Sequence, residues 1–208
     1  MYPVLELLAV VAGATYGMLL ARQHHMDFVG VFTLAFVVAF GGGTLRDLFL
    51  DRHPLFWIQQ DHYSIIVFVL ALVTSALPRL PTSMERWLNI PDAIGLGLFS
   101  VVGALAAIDS GTSMFIAVLL GVVTGTFGGV MGDIFCNRVP SLFGTSPLFA
   151  TCSFVGCWLL FFLKAWNVPA DYATYSAVLF IVCFRLAAVK WGWTLPSVGA
   201  AESDRSEP

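Results

Sequence analysis

Residues 40–47 read FGGGTLRD and lie inside an apolar run that begins near Phe28. Glycine weakens a helix by about 1 kcal/mol per residue relative to alanine. Gly41, Gly42 and Gly43 in succession therefore predict a break in the helix that this run would form. Arg46 and Asp47 follow directly, and charged side chains cost roughly 2.5–3.5 kcal/mol each at membrane depth on insertion scales. Non-helical backbone is tolerated at that depth only where it lines a cavity or is covered by protein.

The same stretch occurs a second time in the chain. A shift of 86 residues takes Gly42, Gly43 and Asp47 to Gly128, Gly129 and Asp133, and the match extends upstream and downstream without a gap. The further equivalent pairs are Glu6 and Asp92, Gly17 and Gly103, Phe49 and Phe135, Arg52 and Arg138, and Pro54 and Pro140. One fixed offset over such a length predicts two copies of a single structural unit.

The composition is typical of an integral membrane protein. Apolar residues make up 58% of the chain and charged residues 11%, whereas a soluble domain is about 25% charged. The net charge of −3 and the lack of a basic surface argue against a nucleic-acid partner. The four cysteines lie in or beside apolar segments without metal-ligand spacing. No nucleophile–base set occurs either, so the sequence predicts neither an enzyme nor a bound cofactor.

Hydropathy predicts an all-α fold of seven transmembrane helices. The predicted spans are residues 3–21, 28–50, 63–80, 89–108, 113–135, 147–164 and 170–190. We expect a first three-helix repeat over residues 1–86, a second over 87–168, a seventh helix over 169–194 and a disordered cytoplasmic tail over 195–208. Three is an odd number, so the second repeat must enter the bilayer upside down relative to the first. Inverted repeats of this kind place a binding or permeation site near the midplane.

Lysine and arginine residues predict the orientation, because they favour the cytoplasmic side of short loops. With the N-terminus outside and the C-terminus in the cytoplasm, seven of them lie inside and two, Arg52 and Lys164, lie outside. The inner residues are Arg22, Arg79, Arg86, Arg138, Arg185, Lys190 and Arg205. We therefore expect a multi-pass protein of the inner (plasma) membrane with an odd number of spans.

The predicted helix breaks lie at Gly41–Gly43 in the second span and at Gly128–Gly129 in the fifth. The carbonyl end of a broken helix favours a cation, and the amide end favours an anion. The alternative is that these glycines only allow close helix packing. The spacings Gly13-x-x-x-Gly17 and Gly121-x-x-x-Gly125 have that form.

Asp47 and Asp133 occupy equivalent positions, one toward each face of the membrane. They are predicted to mark the mouths of a cation path or to be helix partners of Arg52 and Arg138. The alternative is a structural ion pair that holds the broken helix against a neighbour. Arg46 has no counterpart in the second repeat, because Gly132 stands there. We expect Arg46 to pair with Asp47 or Glu6 and, if it lines a pore, to restrict cation flow. Glu6 and Asp92 would fit as carboxylates at helix N-termini.

The inverted three-plus-three repeat, the seventh helix and the Gly-Gly-Gly-x-x-Arg-Asp motif resemble the bacterial TRIC family of trimeric intracellular cation channels, also labelled as a glycine transporter family. The resemblance covers about residues 1–195. It implies a homotrimer with one pore in each protomer, formed by the broken second and fifth helices, and passage of monovalent cations, chiefly potassium. The glycine motifs and the charges beside them give the candidate pore residues Gly41, Gly42, Gly43, Arg46, Asp47, Gly128, Gly129 and Asp133.

The second copy departs from the family pattern. Members often repeat the full motif there, whereas residues 127–133 read FGGVMGD, so the two pore halves are expected to be chemically unequal. A secondary transporter for a small zwitterion such as glycine remains open beside the channel. Asp47 and Asp133 favour the channel, while Arg46, a natural partner for a carboxylate, favours the transporter.

Overall fold

The computed structural model describes residues 2–77, 85–144 and 146–196, and all regular secondary structure within these ranges is helical. Among the described residues, five helices are long and apolar enough to cross a membrane. Two more, Asp61–Ala76 and Ala150–Ala165, are apolar but only 16 residues long, or about 24 Å at 1.5 Å per residue. The helices are α1 (Tyr2–Gln23), α2 (Phe28–Phe49), α3 (Phe56–Gln59), α4 (Asp61–Ala76), α5 (Glu85–Asp109), α6 (Met114–Phe135), α7 (Ala150–Ala165) and α8 (Ala170–Trp191).

The seven apolar helices correspond to the seven predicted spans, which confirms the all-α membrane architecture. The short helix α3 is an addition: it occupies the connection between α2 and α4 and has only four residues. The predicted tail begins at Leu195, and most of it lies outside the described residues. The repeat limits at 86, 168 and 194 remain predictions.

The ends of equivalent helices have the same local structure. The side chain of Asp27 caps α2 by accepting a hydrogen bond from the backbone N–H three residues later, and Ser113 caps α6 in the same way. After these two helices, Asp51 and Asn137 both adopt a left-handed backbone, with φ of 50° and 54°. Both pairs are separated by the offset found in the sequence, so the two copies fold alike.

The two repeats are related by an approximate two-fold axis. Helices α2 and α6 cross with Gly42 against Thr124 and Gly128 against Val38. Residue numbers therefore increase along α2 where they decrease along α6, so the two helices run antiparallel at the crossing. The equivalent of Val38 in the second repeat is Thr124, and the two contacts are therefore symmetry mates. This antiparallel crossing confirms the inverted relationship of the repeats.

The predicted breaks in α2 and α6 are wrong. Both helices continue through their glycines, α2 from Phe28 to Phe49 and α6 from Met114 to Phe135. A Cβ at Gly42 would overlap the carbonyl oxygen of Thr124, and one at Gly128 would overlap that of Val38. The glycines thus let two helix backbones touch, and close packing offsets their low helix propensity.

Helix α8 lies outside the repeat and packs against the second copy. Its side chains Val182 and Ile181 lie against the backbones of Gly97 in α5 and Gly156 in α7. Helix α8 therefore covers α5 and α7 on one side. Within the described ranges, the first repeat has no helix of its own that would cover the equivalent surface.

Candidate functional site

A buried charge cluster lies at the end of α2. The guanidinium of Arg46 donates from Nε to Asp47 Oδ1 at 2.8 Å and from Nη1 to Glu6 Oε1 at 3.1 Å. Arg46 and Asp47 are each 1% exposed. The predicted pairing of Arg46 is confirmed with both carboxylates. Arg46 is held in the interior because two acidic groups on two helices compensate its charge.

The segment after α2 covers this cluster. The backbone N–H of Phe56 donates to Asp47 Oδ2 at 2.8 Å, and the Phe56 ring lies 5.1 Å from the Arg46 guanidinium, within the range of a cation–π contact. The ring also lies against Gly43, where a Cβ would overlap it. Gly43 is therefore required for the approach of Phe56, and the aromatic ring closes the cluster on one side.

The second repeat carries a similar arrangement at the end of α6. Asp133 Oδ2 accepts hydrogen bonds from the Ser141 backbone N–H at 2.8 Å and from the Ser141 hydroxyl at 3.0 Å. The ring of Phe149 lies against Gly129, 3.5 Å from the point that a Cβ on this residue would occupy. Asp133 and Gly129 are the counterparts of Asp47 and Gly43, so a carboxylate and an aromatic ring recur at equivalent places.

The guanidinium of the second cluster comes from α8. Arg185 is 7% exposed and donates to Asp92 Oδ2 from Nη2 at 3.2 Å. It also donates from Nη1 to the carbonyl oxygens of Pro147 and Leu148 at 2.9 and 3.0 Å. Its Cζ lies 4.6 Å from the centroid of the Phe149 ring. Arg185 thus shares two contacts with Arg46, an ion pair with the equivalent acidic residue and a cation–π contact with a covering ring, whereas only Arg46 also binds the aspartate at the helix end among the described residues.

These contacts correct three expectations. Arg46 does have a spatial counterpart, and the two halves are less unequal than the sequence predicts, because each holds one guanidinium and two carboxylates. Glu6 and Asp92 serve as ion-pair partners rather than as helix caps. Neither Arg52 nor Arg138 forms an ion pair with Asp47 or Asp133 among the described residues; each donates its backbone N–H to the carbonyl oxygen of that aspartate instead, at 2.8 Å.

One feature of the sequence could have identified Arg185 as a site residue: it is an arginine inside an apolar span. The distribution of lysine and arginine places it with the inner-face cations, but its side chain is buried, which leaves six inner residues against two. Its partner Asp92 is identifiable through the repeat. The repeat does not predict that Arg185 and Asp92 form a pair, because α8 has no equivalent helix in the first copy.

Two small cavities lead from the helix crossing toward Asp133. The crossing cavity, of about 20 Å³, has Thr124 and Gly128 in its wall, and the mouth cavity, also of about 20 Å³, has Asp133 and Arg185. Each is large enough for about one water molecule. The residues common to both walls are Tyr16, Asp92 and Gly129. The cavities therefore adjoin, between the contact of α2 with α6 and the second charge cluster.

The charge clusters are not metal centres of the usual kind. Among the residues that the structure describes, no three histidine, cysteine, aspartate or glutamate side chains form a group able to hold a metal ion. What the arrangement offers is two buried sites of net negative formal charge, one at each end of the α2–α6 crossing.

The chain matches known proteins along nearly its whole length. A family model described as glycine transporter matches residues 3–79 and again residues 89–165. The UPF0126 inner membrane protein YadS of Escherichia coli is 32% identical, with 97% of this chain and 98% of YadS aligned. A UPF0126 membrane protein of Vibrio cholerae is 35% identical over 88% of this chain and 77% of the relative.

Two solved structures have the same fold. The TRIC trimeric intracellular cation channel orthologue from Rhodobacter sphaeroides gives a TM-score of 0.86 at 31% identity, covering 92% of this chain and 98% of the other. A second structure, described under the structural basis for conductance through TRIC cation channels, gives a TM-score of 0.83 at 32% identity and covers 95% of this chain and 97% of the other. The double match of the family model follows from the inverted repeat. With its repeated glycine motif and its seven apolar helices, this multi-pass membrane protein belongs to the bacterial TRIC family, the family of the glycine transporter model and the UPF0126 proteins.

Proposed function

We propose that the protein is a monovalent cation channel, chiefly for potassium, with a path in each protomer along the crossing of α2 and α6. The observation that carries the proposal is the charge at both ends of this crossing. Each end has two carboxylates against one guanidinium, a balance that favours cations over anions in a region of low dielectric constant. The similar solved structures are of cation channels rather than enzymes, which supports the same function.

The conformation described corresponds to a closed path. At the crossing, the backbones of α2 and α6 touch at Gly42 and Gly128, and the adjoining cavities hold about one water each. Conduction requires these helices to separate or slide there. The predicted pore residues, Gly41, Gly42, Gly43, Arg46, Asp47, Gly128, Gly129 and Asp133, lie at the crossing and at its two ends and are assigned to this path.

The assembly and orientation belong to the same proposal. We assign a homotrimer in the lipid bilayer of the inner membrane, with the N-terminus outside and the C-terminus in the cytoplasm. Large apolar side chains on the outside of the helices supply the lipid-facing and protomer-facing surface; they include Val29, Ile65, Phe115 and Leu179. With this orientation the Asp47 cluster faces the outside and the Asp133 cluster faces the cytoplasm.

A carrier for a small zwitterion is the second candidate. Arg46 Nη2 is buried and has no hydrogen-bond partner among the described residues, so one donor is available for a carboxylate. The neighbouring Glu6 and Asp47 would suit an ammonium group. The description of the family model as a glycine transporter points the same way. Channel and carrier differ in whether ions pass without a substrate.

The deciding experiment measures current through purified protein in planar bilayers with a potassium chloride gradient. A cation channel gives single-channel steps and a reversal potential close to that of potassium. Asp47→Asn and Asp133→Asn should each reduce the preference for potassium over chloride, whereas Asp171→Asn, at an exposed position, should leave it unchanged. Uptake of radiolabelled glycine into liposomes without ion current would instead establish the carrier.

A further inference from the structure

The second charge cluster depends on a residue from outside the repeat. We propose that Arg185 of α8 is a charge gate for the Asp133 end of the path: it sets the barrier to cations entering there and clamps the segment before α7 over the mouth cavity. The inference rests on the proposed cation path and adds to it a residue and a helix that the repeat motif does not include.

The first step is that the two guanidinium groups have equivalent surroundings. Arg46 binds Glu6 and stacks on the ring that covers Gly43. Arg185 binds Asp92 and stacks on the ring that covers Gly129. Glu6 with Asp92 and Gly43 with Gly129 are pairs related by the repeat. Each guanidinium therefore pairs with the equivalent acidic residue and lies on the ring over the equivalent glycine, although one comes from α2 and the other from α8.

The second step explains why the group comes from another helix. Gly132 is the sequence counterpart of Arg46, and a Cβ there would lie 3.1 Å from Val38 Cγ2 and 3.3 Å from Leu20 Cδ2. These distances leave little room for a long side chain unless the side chains of Val38 and Leu20 shift. Arg185 reaches the cluster from α8, so the second half has its cation without a bulky residue on α6.

The third step concerns the clamp. Arg185 Nη1 donates to the carbonyl oxygens of Pro147 and Leu148, and the Leu148 N–H donates to the Trp193 carbonyl oxygen at 2.8 Å. The segment before α7 is thus tied to α8 through Arg185 and to the residues just after α8 through Trp193. Phe149 follows this segment and lies between Arg185 and Gly129. Widening the mouth cavity, which Arg185, Asp133 and Phe149 line, requires these contacts to loosen.

The test is the direction of rectification in inside-out membrane patches, where the sidedness of the protein is fixed. A positive charge at one end lowers the local cation concentration and hinders entry from that end. Arg185→Gln should raise potassium current entering from the Asp133 end, and Arg46→Gln should raise current entering from the Asp47 end. We expect the ratio of outward to inward current to shift by roughly twofold or more in opposite directions, after allowing for screening.

Three variants separate the gate from a structural role. Arg185→Lys retains the charge and should keep the wild-type rectification. Lys190→Gln removes the same charge from an exposed position on the same helix and should have no effect. Asp92→Asn removes a negative charge from the cluster and should shift the ratio of outward to inward current in the direction opposite to Arg185→Gln. This variant also tests the proposal if Arg185→Gln does not assemble.

The proposal is overturned if Arg185→Gln and Asp92→Asn both leave rectification at the wild-type value, or if Arg185→Gln shifts it in the same direction as Arg46→Gln. A reduction of both current directions by an equal factor in Arg185→Gln and Arg185→Lys would also overturn it, because that result indicates a packing role alone. Absence of potassium current in the wild-type protein would refute the proposed function itself, and so is distinct from these outcomes.

Discussion

At the scale of single residues, the buried guanidinium of Arg46 joins three parts of the first repeat. It connects α1 through Glu6, its own helix through Asp47 and the segment after α2 through Phe56. Removing one member of a buried ion pair is far more costly than removing an exposed charge, because the partner is left without compensation. The same residue therefore affects both stability and, under the proposed function, cation entry.

Arg46→Ala should lower the stability of the folded protein by roughly 3–5 kcal/mol, the range found when a buried ion pair loses one partner. The reason is that Glu6 and Asp47 remain in the interior without their cation. The measurement is the melting temperature of purified protein in detergent. The matched control is Arg52→Ala, which removes an exposed arginine six residues later and should shift the melting temperature little; equal shifts in the two variants would contradict the prediction.

At the scale of helices, the contact of α2 with α6 depends on which face of each helix carries glycine. Gly42 faces the partner backbone, whereas a Cβ at Gly41 would lie at an ordinary 3.7 Å from Met131 Cγ. Neighbouring glycines in one motif therefore differ in function. Gly42 allows the crossing, Gly43 accommodates Phe56, and Gly41 has room for a methyl group.

Gly42→Ala should destabilise the protein by about 1–3 kcal/mol, the usual cost of overpacking, because α2 and α6 must move apart to admit the methyl group. Gly41→Ala should be neutral or stabilising, since alanine has a helix propensity about 1 kcal/mol better than glycine. Melting temperatures of the two variants, measured side by side, test this difference. If both lose stability equally, the crossing is not the reason for the glycine at position 42.

The sequence predicted the helices and their symmetry because both leave local signals. The same offset of 86 residues relates Asp27 to Ser113 and Asp51 to Asn137, which the structure shows in matching local conformations. The glycine run did not reveal whether α2 breaks, because low helix propensity and close packing produce the same residue choice. The partner of Asp92 was not predictable, since Arg185 lies on a helix with no copy in the first repeat and their contact arises only from tertiary packing.

At the scale of the whole molecule, inversion places structurally equivalent groups on opposite faces of the membrane. The connection after α2 and the connection after α6 have the same left-handed residue and the same backbone hydrogen bond to the preceding aspartate. Three helices, α4, α5 and α6, separate these two connections. Because α5 and α6 are each long enough to span the bilayer, the two connections lie on opposite faces only if α4, with its 16 residues, crosses it as well.

His53 and Val139 are equivalent positions in these connections, 61% and 80% exposed, and so report the topology directly. In a background without the native cysteines, His53→Cys should react with a membrane-impermeant thiol reagent in intact cells. Val139→Cys should react only after the membrane is permeabilised, because the lysine and arginine distribution puts its loop in the cytoplasm. Labelling of both residues from outside would show that α4 does not span the bilayer, since an even number of crossings would then separate them. Labelling of Val139→Cys alone would preserve the seven-helix inverted fold and reverse its orientation, which would place the Arg185 cluster at the outer end of the path.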